Sequence, residues 1–114
     1  MSWDDELNEM AQRASLAEAM GGEEKVARQH EFNKLTIRER IAHIADEDSF
    51  HEIGKLAGVG EYDDDGNLTH LTPSNFVFGT AEIDDRPVIL SGDDFTVRGG
   101  SADASIAGKR TQAE

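Results

Sequence analysis

The sequence contains no cysteine and only two prolines among its 114 residues. Without cysteine the chain has no disulfide, no thiolate nucleophile and no cysteine-ligated metal site. No apolar run approaches the roughly 20 residues that a membrane-spanning helix requires. The start of the chain, MSWDDELNEM, is acidic and lacks the basic-then-apolar order of a secretion signal. We therefore expect a soluble, cytoplasmic chain that does not bind membranes.

Basic residues are also scarce. The chain has 11 Lys and Arg residues against 24 Asp and Glu residues, which gives a formal net charge of −13. Nucleic acids and anionic membranes bind through neutralising Lys and Arg side chains, so this balance disfavours both as partners. It also disfavours a polyanionic small ligand, unless a local basic cluster overrides the overall field. The length fits one domain or part of a larger one.

The first part of the chain is predicted to be helical. Apolar residues at three- and four-residue spacing indicate a helix over 3–20, and a second helical stretch covers 23–32. A third helix begins after Thr36, which has capping-box spacing with Glu39. One face of this helix carries Ile37, Ile41 and Ile44.

Arg38 and Arg40 lie off that apolar face and stand out on an acidic chain. They could grip an anion or the carboxylate of a neighbouring chain. Alternatively, they could pair with the acidic run 46–48 at the end of their own helix. Surface pairs of that kind contribute only about 0–1 kcal/mol. Position alone leaves both interpretations open.

After residue 48 the pattern changes to β-structure. We predict one strand over 49–59, followed by a polar stretch, 61–74, that forms a hairpin tip or a mobile loop. Two strands, 75–83 and 87–92, are joined by a tight hairpin at Asp84-Asp85-Arg86. The consecutive apolar residues 88–90 are typical of a strand covered on both faces.

A third strand is predicted over 94–98 and ends at Gly99-Gly100, after which Ser101 begins a helix. Glycines allow a backbone to approach a ligand closely, and a helix start offers free amides. Gly99, Gly100 and Ser101 are therefore candidates for ligand contact. A strand-to-helix turn with a positive φ angle explains the same residues and is common.

The acidic stretch EYDDDGNLTHLT, 61–72, resembles a calcium loop in part. Glu61, Asp63 and Asp65 fall at its first, third and fifth positions, but Thr72 stands where the bidentate glutamate belongs. An Asp-Gly turn in a solvated loop explains the same pattern. The four histidines show no metal-ligand spacing. We expect no metal site. A calcium-responsive module built on 61–72 is the weakest hypothesis for function; two stronger ones follow from the resemblance described next.

Two long stretches resemble a known family. GGEEKVARQHEFNKLTIRERIAHIADEDSFHEIG, 21–54, and TPSNFVFGTAEIDDRPVILSGDDFTVRGGSADASIAGKR, 72–110, follow one another in a single register. They are similar to the opening of carboxyltransferase subunits of biotin-dependent acyl-CoA carboxylases, in particular the propionyl-CoA carboxylase β-chain group. The sequence departs from that pattern at Asn33, Asp85 and Arg98.

The resemblance implies an α/β fold: a helical N-terminal arm over 1–48, then a β-hairpin-rich region over 49–114 that begins a crotonase-like domain. That region would contain the first ββα unit of an incomplete fold. In the family, the glycine-rich loops that hold an enolate oxyanion follow this part. Fixed amides aimed at developing negative charge are a large catalytic term. We therefore expect no catalytic residue in this segment.

The implied activity of the parent enzyme is transfer of a carboxyl group from carboxybiotin to an acyl-CoA. Biotin on a carrier protein and acyl-CoA would serve the parent, whereas no cofactor is expected on this segment alone. Gly99, Gly100 and Ser101 would lie near CoA; Thr36, Arg38, Glu39 and Arg40 would be structural or interfacial. The implied partners are the remainder of the carboxyltransferase or a homologous subunit, a biotin carboxylase or carrier subunit, and further copies in a homo-oligomer. The alternative is a stand-alone interaction protein that pairs through an open sheet edge.

Overall fold

The computed structural model describes residues 2–97, 99 and 108–113. Three helices precede five strands, and a short helix follows them. In chain order the elements are α1 Asp4–Glu18, α2 Glu23–Glu31, α3 Ile37–Ile44, β1 His51–Ile53, β2 Gly58–Tyr62, β3 Leu68–Pro73, β4 Phe76–Ile83, β5 Arg86–Asp93 and α4 Gly108–Ala113. The three predicted N-terminal helices are confirmed. None of the helices within the described ranges is both long and apolar enough to cross a membrane.

The strands form two antiparallel sheets. One has three strands in the order β1-β4-β5, and the other is the hairpin of β2 and β3. The long central strand β4 pairs with β5 along its whole length, from Phe76 opposite Asp93 to Ile83 opposite Arg86. Gly79 lies opposite Glu52 of β1, and a Cβ at Gly79 would overlap the carbonyl oxygen of His51. This glycine therefore lets β1 approach the central strand.

The predicted hairpin between β4 and β5 is confirmed. Its turn residues Asp84 and Asp85 have φ angles of 52° and 66°, the left-handed conformation that aspartate tolerates better than most residues. The Asp46 carboxylate accepts hydrogen bonds from the Asp84 amide at 2.9 Å and the Asp85 amide at 2.8 Å. The residue just past the end of α3 thus fixes the hairpin turn.

The prediction of a single strand over 49–59 is wrong. The chain instead forms β1, turns at residues 54–57, and enters the other sheet as β2. Gly54 has a φ angle of 72°, and the Ala57 amide donates to the Gly54 carbonyl oxygen at 3.1 Å. A glycine in the left-handed conformation closes this turn because it carries no Cβ.

Within the stretch 61–74 the hairpin is confirmed, but most of the second half is strand rather than loop. The turn occupies only the residues around Gly66, which has a φ angle of 82°. Leu68 and Leu71 of β3 are 5% and 2% exposed because α1 packs on this strand. The two buried leucines thus pack β3 against α1, although the polar residues around them had suggested a loop.

The prediction of a strand over 94–98 is also wrong for the residues of this stretch that the structure describes. Residues 94–97 form a turn, and residue 98 lies outside the described residues. The Asp94 carboxylate accepts hydrogen bonds from the Thr96 amide at 2.9 Å and the Thr96 hydroxyl at 2.6 Å. An aspartate that bonds the backbone two residues ahead offers the chain an alternative to a sheet ladder.

Strand β5 is not covered on both faces by the described residues, contrary to the prediction for 88–90. It lies at the edge of its sheet, and Ile89 is 56% exposed. The core lies instead on β4 and its neighbours. Its buried apolar residues are Ala17, Ile41, Leu68, Leu71, Phe76, Val77, Phe78, Ala81 and Val97.

Candidate functional site

Gly99, the one described member of the predicted CoA-proximal group, lies in a surface cleft beside α2. Its φ angle of 58° is the conformation that the turn interpretation required. Gly100 and Ser101 lie outside the described residues, so the prediction that they lie near CoA stays a prediction. The cleft has a volume of about 420 Å³ and is lined by Lys25, Arg28, Gln29, Phe32, Lys34, Phe95, Thr96 and Gly99.

The cleft is basic although the chain is strongly acidic. Lys25 and Arg28 come from α2 and Lys34 from the segment that follows it, and none of the described residues that line the cleft is acidic. Three of the 11 basic residues of the chain thus converge on one concave surface. Such a cluster creates a local positive potential that can hold an anion despite the net charge of −13.

Two exposed phenylalanines form the apolar part of the cleft. Phe32 is 64% exposed and Phe95 is 60% exposed. The guanidinium carbon of Arg28 lies 6.0 Å from the ring centroid of Phe32, and the Lys34 Nζ lies 5.9 Å from that of Phe95. A cation over an aromatic face is attracted by the quadrupole of the ring. These contacts keep two of the cations against the cleft.

A hydrogen-bond chain ties the cleft wall formed by the turn at 94–97 to the glycine pair before α2. The Gly21 amide donates to the Thr96 hydroxyl oxygen at 2.9 Å, and that hydroxyl donates to the Asp94 carboxylate at 2.6 Å. Thr96 and Asp94 are 4% and 2% exposed. A Cβ at Gly21 would overlap the Thr96 carbonyl oxygen. The turn at 94–97 is thereby held against the start of α2.

Arg38 and Arg40 have different surroundings. Arg38 forms a two-point ion pair with Glu52 of β1, with distances of 2.5 Å from Nη1 to Oε1 and 3.1 Å from Nη2 to Oε2. It does not use the acidic run 46–48 for this pair. Its Nε is buried and has no hydrogen-bond partner among the described residues. Arg40 is exposed and is not part of this ion pair.

Lys109 of α4 lies beside this pair and is 9% exposed. A Cβ at Gly54 would lie 3.0 Å from the Lys109 Cε, so the lysine stem packs on the turn after β1. Burial lowers the pKa of Lys109, the Arg38 charge lowers it further, and the Glu52 carboxylate opposes both effects. Arg38, Glu52 and Lys109 therefore form one partly buried charge cluster that joins α3, β1 and α4.

The capping box at the start of α3 is confirmed. The Glu39 amide donates to the Thr36 hydroxyl oxygen at 3.2 Å, and the Thr36 amide donates to the Glu39 Oε1 at 2.9 Å. His30 lies 2.6 Å from the same Oε1. The hydrogen bond to His30 and then that to the Thr36 amide lower the pKa of Glu39 from 4.5 to about 2. These contacts fasten the end of α2 to the start of α3.

The acidic turn 61–72 has a structural explanation. The Asp63 carboxylate accepts hydrogen bonds from the Asp65 amide at 3.0 Å and the Asn67 amide at 2.9 Å, which is the local turn chemistry of aspartate. Elsewhere in the described ranges, carboxylate oxygens of Asp46, Glu82 and Asp85 lie within 4.8 Å of one another. The two hydrogen bonds that Asp46 accepts from the Asp84 and Asp85 amides account for its position in that group.

The sequence predicted neither the basic cleft nor the charge cluster of Arg38, Glu52 and Lys109. Glu52 and Lys109 lie in the two stretches that resemble the known family, but the sequence assigned neither of them a role. Glu52 pairs with Arg38 of another element, and both charges act on Lys109 of α4. The cleft had one usable local signal. Lys25 and Arg28 are three residues apart on α2 and therefore share a helix face. Nothing local predicted that Phe95 and Gly99 would close the opposite wall.

Comparison with known proteins identifies relatives over nearly the whole chain. No protein-family model matches it. It is 32% identical over 109 residues to the propionyl-CoA carboxylase carboxyltransferase subunit of Haloferax mediterranei, covering 96% of this chain and 21% of the relative. It is 42% identical over 82 residues to the biotin-dependent acetyl-/propionyl-coenzyme A carboxylase beta5 subunit of Mycobacterium tuberculosis (strain H37Rv), covering 70% of this chain and 15% of the relative.

A solved structure agrees with these relatives. Transcarboxylase 12S, a hexamer in a structure with methylmalonyl-CoA bound, matches with a TM-score of 0.79 and 30% identity. The match covers 99% of this chain and 22% of the 12S chain, so the chain spans about a fifth of the length of the proteins it resembles. The helical arm and the small sheets are thus the beginning of a crotonase-like fold. By sequence and by fold, the chain therefore matches an N-terminal fragment of the carboxyltransferase subunits of biotin-dependent acyl-CoA carboxylases.

Proposed function

We propose that this chain acts as the N-terminal segment of an acyl-CoA carboxyltransferase, which moves a carboxyl group from carboxybiotin to an acyl-CoA. The observation that carries the proposal is the match to transcarboxylase 12S over 99% of the chain at a TM-score of 0.79. Because the match covers 22% of that protein, the segment would need the other parts of a carboxyltransferase for activity. The division into an arm over 1–48 and a β-rich region over 49–114 is part of this proposal.

The surface of the described residues suits a segment that packs against further structure. Strands β1 and β5 are the edges of their sheet, and an open edge presents unpaired backbone groups that another strand can bond. The exposed apolar residues Ile44 and Ile89 are each 56% exposed. The Arg38 Nε, buried without a partner in the described part of the chain, would gain one from the packed assembly.

The proposed partners follow from the relatives. The first is the rest of a carboxyltransferase, which would contribute the oxyanion-holding loops, and the second is a set of further copies, by analogy with the hexamer of transcarboxylase 12S. A biotin carrier would deliver the carboxyl group in the assembled enzyme. Within this segment Arg38, Thr36 and Glu39 have structural roles, and Arg40 remains exposed for an interface.

The test is complementation. The chain is mixed with a transcarboxylase 12S subunit that lacks its matching N-terminal fifth, and the mixture is examined by size-exclusion chromatography with light scattering. Carboxyl transfer to propionyl-CoA is then measured. We expect a stoichiometric complex that regains activity, while neither part is active alone. Val77→Asp, which places a charge at a core position that is 2% exposed, is the control that should neither bind nor restore activity.

A different result would favour the second hypothesis. A particle of fixed size that ignores the truncated subunit, with no activity in the mixture, would contradict the proposal and indicate a stand-alone interaction protein. The open edge of the β1-β4-β5 sheet favours that second candidate, because edges mediate strand addition between proteins. The two hypotheses therefore differ in the partner and in the activity of the mixture.

A further inference from the structure

We propose that the exposed face of α1 docks a basic amphipathic helix of a separate partner protein. Three large apolar residues, Trp3, Leu7 and Met10, form an exposed stripe on this helix, the α1 stripe, and acidic residues flank it. The stripe precedes the two stretches that resemble the carboxyltransferase family, 21–54 and 72–110. The inference therefore does not rest on the proposed function.

The spacing of the stripe is the first argument. Trp3 is the N-cap of α1, and Leu7 and Met10 lie within the helix, four and then three residues further on. This is the spacing of alternating d and a positions in a heptad, and Ala14 continues it. Residues three and four apart lie above one another on a helix, so the three side chains form one surface. Such a surface is the seam by which a helix pairs with a second helix.

The second argument is that the stripe is not used by the fold. Trp3, Leu7 and Met10 are 70%, 59% and 53% exposed. The helix is instead held further along, where buried Ala17 packs it on β3 and the Gln12 amide donates to a backbone carbonyl oxygen of that strand at 2.9 Å. The stripe lies mainly on the turns that precede these contacts, so a partner can cover it without displacing α1.

The charge beside the stripe is the third argument, and it selects the partner. In the heptad register of the stripe, the flanking e and g positions of the first turn are Asp4 and Glu6. The one basic residue of α1, Arg13, donates to backbone carbonyl oxygens of Leu56 and Gly58 in the same chain. A partner helix with Lys or Arg beside its own seam gains opposite-charge pairs. A second copy of α1, or an anionic membrane, would bring negative charge against negative charge.

Trp3 makes the test direct, because it is the one tryptophan of the chain and belongs to the stripe. The probes are two synthetic helical peptides of about three heptads without tryptophan, with leucine at a and d and either lysine or glutamate at e and g. The lysine peptide should shift the Trp3 emission to shorter wavelength, with a dissociation constant of about 0.1 mM or tighter. The glutamate peptide should bind at least about fivefold more weakly, because its flanks repel Asp4 and Glu6.

Two pairs of variants locate the surface. Leu7→Ser should weaken the lysine peptide about tenfold, because it removes apolar area from the stripe. Ile44→Ser changes a residue of similar exposure, 56%, on α3 and should not change the affinity. Glu6→Lys should weaken the lysine peptide about fivefold and remove its advantage over the glutamate peptide. Asp5→Lys makes the same change of charge at the adjacent residue, on the side of the helix away from the stripe, and should keep that advantage.

Three results would overturn the inference: no shift of the Trp3 emission with the lysine peptide, equal affinity for the two peptides, or equal loss in Glu6→Lys and Asp5→Lys. Circular dichroism confirms that each variant is folded. A shift that grows with the concentration of the chain alone would overturn it too, and would assign the stripe to a second copy. A shift with phosphatidylcholine vesicles but not with the lysine peptide would assign the stripe to a membrane instead.

The complementation assay separates this inference from the proposed function. Suppose the complex with the truncated transcarboxylase 12S subunit shifts the Trp3 emission and excludes the lysine peptide. The stripe then packs inside the carboxyltransferase, which rejects the separate partner and keeps the proposed function. Binding of the lysine peptide without complementation would keep the docking surface and reject the proposed function.

Discussion

The guanidinium group of Arg38 and the carboxylate of Glu52 meet at two points, 2.5 Å and 3.1 Å apart, and so join α3 to β1. The side chain of Glu52 is only 9% exposed and that of Arg38 is 22% exposed. Lys109 of α4 lies beside them and is influenced by both charges. The helical arm is thus connected to the sheet by a partly buried ion pair as well as by apolar packing.

Removing Arg38 should destabilise the fold. Arg38→Gln leaves the Glu52 carboxylate without its two-point partner, and breaking a buried pair usually costs about 3–5 kcal/mol. We expect about 2–3 kcal/mol, since Arg38 retains some contact with solvent. Urea unfolding followed by circular dichroism measures the change; Trp3 is 70% exposed and is a poor fluorescence probe of unfolding.

Arg40→Gln is the matched control for this experiment, because it removes the same charge from an exposed position of the same helix. Its effect should stay within about 0.5 kcal/mol. Equal free energies of unfolding for the two variants would show that the Arg38–Glu52 pair does not stabilise the isolated chain.

Glu39 should make the stability of the chain depend on pH in the acidic range. Its pKa is lowered from 4.5 to about 2, first by the hydrogen bond to His30 and then by the bond to the Thr36 amide. The folded state therefore favours the ionised carboxylate. The stabilisation is complete above the unfolded pKa and is lost as the pH falls toward the folded pKa. The difference in melting temperature between the wild type and Glu39→Gln should shrink from about pH 6 to about pH 3.

Glu31→Gln provides the comparison for Glu39→Gln. It removes one negative charge from an exposed residue at the end of α2 and so corrects for the change in net charge. The same pH dependence in both variants would assign the effect to overall charge and not to the capping box with His30.

Thr96 should be important for the stability of the cleft wall. Thr96→Val keeps the shape of the side chain but removes the hydroxyl that accepts from the Gly21 amide and donates to Asp94. A buried polar group left without a partner costs about 1–3 kcal/mol, and we expect a loss of that size in urea unfolding. Thr80→Val, at an exposed position of β4, should change the free energy of unfolding by less than about 0.5 kcal/mol. A loss in Thr96→Val no larger than in Thr80→Val would mean that this hydrogen-bond chain contributes nothing.

Features that depend on neighbouring residues could be predicted from the sequence. The capping box of Thr36 and Glu39 spans one helical turn, and the hairpin at Asp84 and Asp85 depends on two turn residues, so each follows from local chemistry. The strand predicted at 94–98 failed for a reason that is also local. Phe95 and Val97 favour a strand, but the Asp94 side chain bonds Thr96 and forms a turn instead.

Features that depend on the tertiary fold could not be predicted in this way. The partner of Arg38 is Glu52, on another element, rather than the nearer acidic run 46–48, because the register of β1 on β4 places Glu52 beside α3. The cleft likewise requires the turn at 94–97 to fold back on α2. The exposure of Ile89 follows from the position of β5 at a sheet edge, which the apolar run 88–90 does not reveal.

The open edge at β5 should make the isolated chain associate with itself. Among the described residues no further strand pairs with its outer side, and Ile89 adds an apolar surface that is 56% exposed. We expect the weight-average mass in light scattering to rise with protein concentration, because apolar burial and strand pairing both favour contact between copies. Ile89→Lys should abolish this rise, since a charged residue on an edge strand opposes edge-to-edge pairing.

Ile44→Lys tests whether the edge or general hydrophobicity causes the association. Ile44 has the same exposed fraction as Ile89, 56%, but lies on α3. If strand pairing drives self-association, Ile44→Lys should associate like the wild type while Ile89→Lys stays monomeric. Loss of association in both variants would assign it to exposed apolar surface in general. A wild-type chain that remains monomeric at all concentrations would show that the β5 edge is not a pairing surface without its partner subunit.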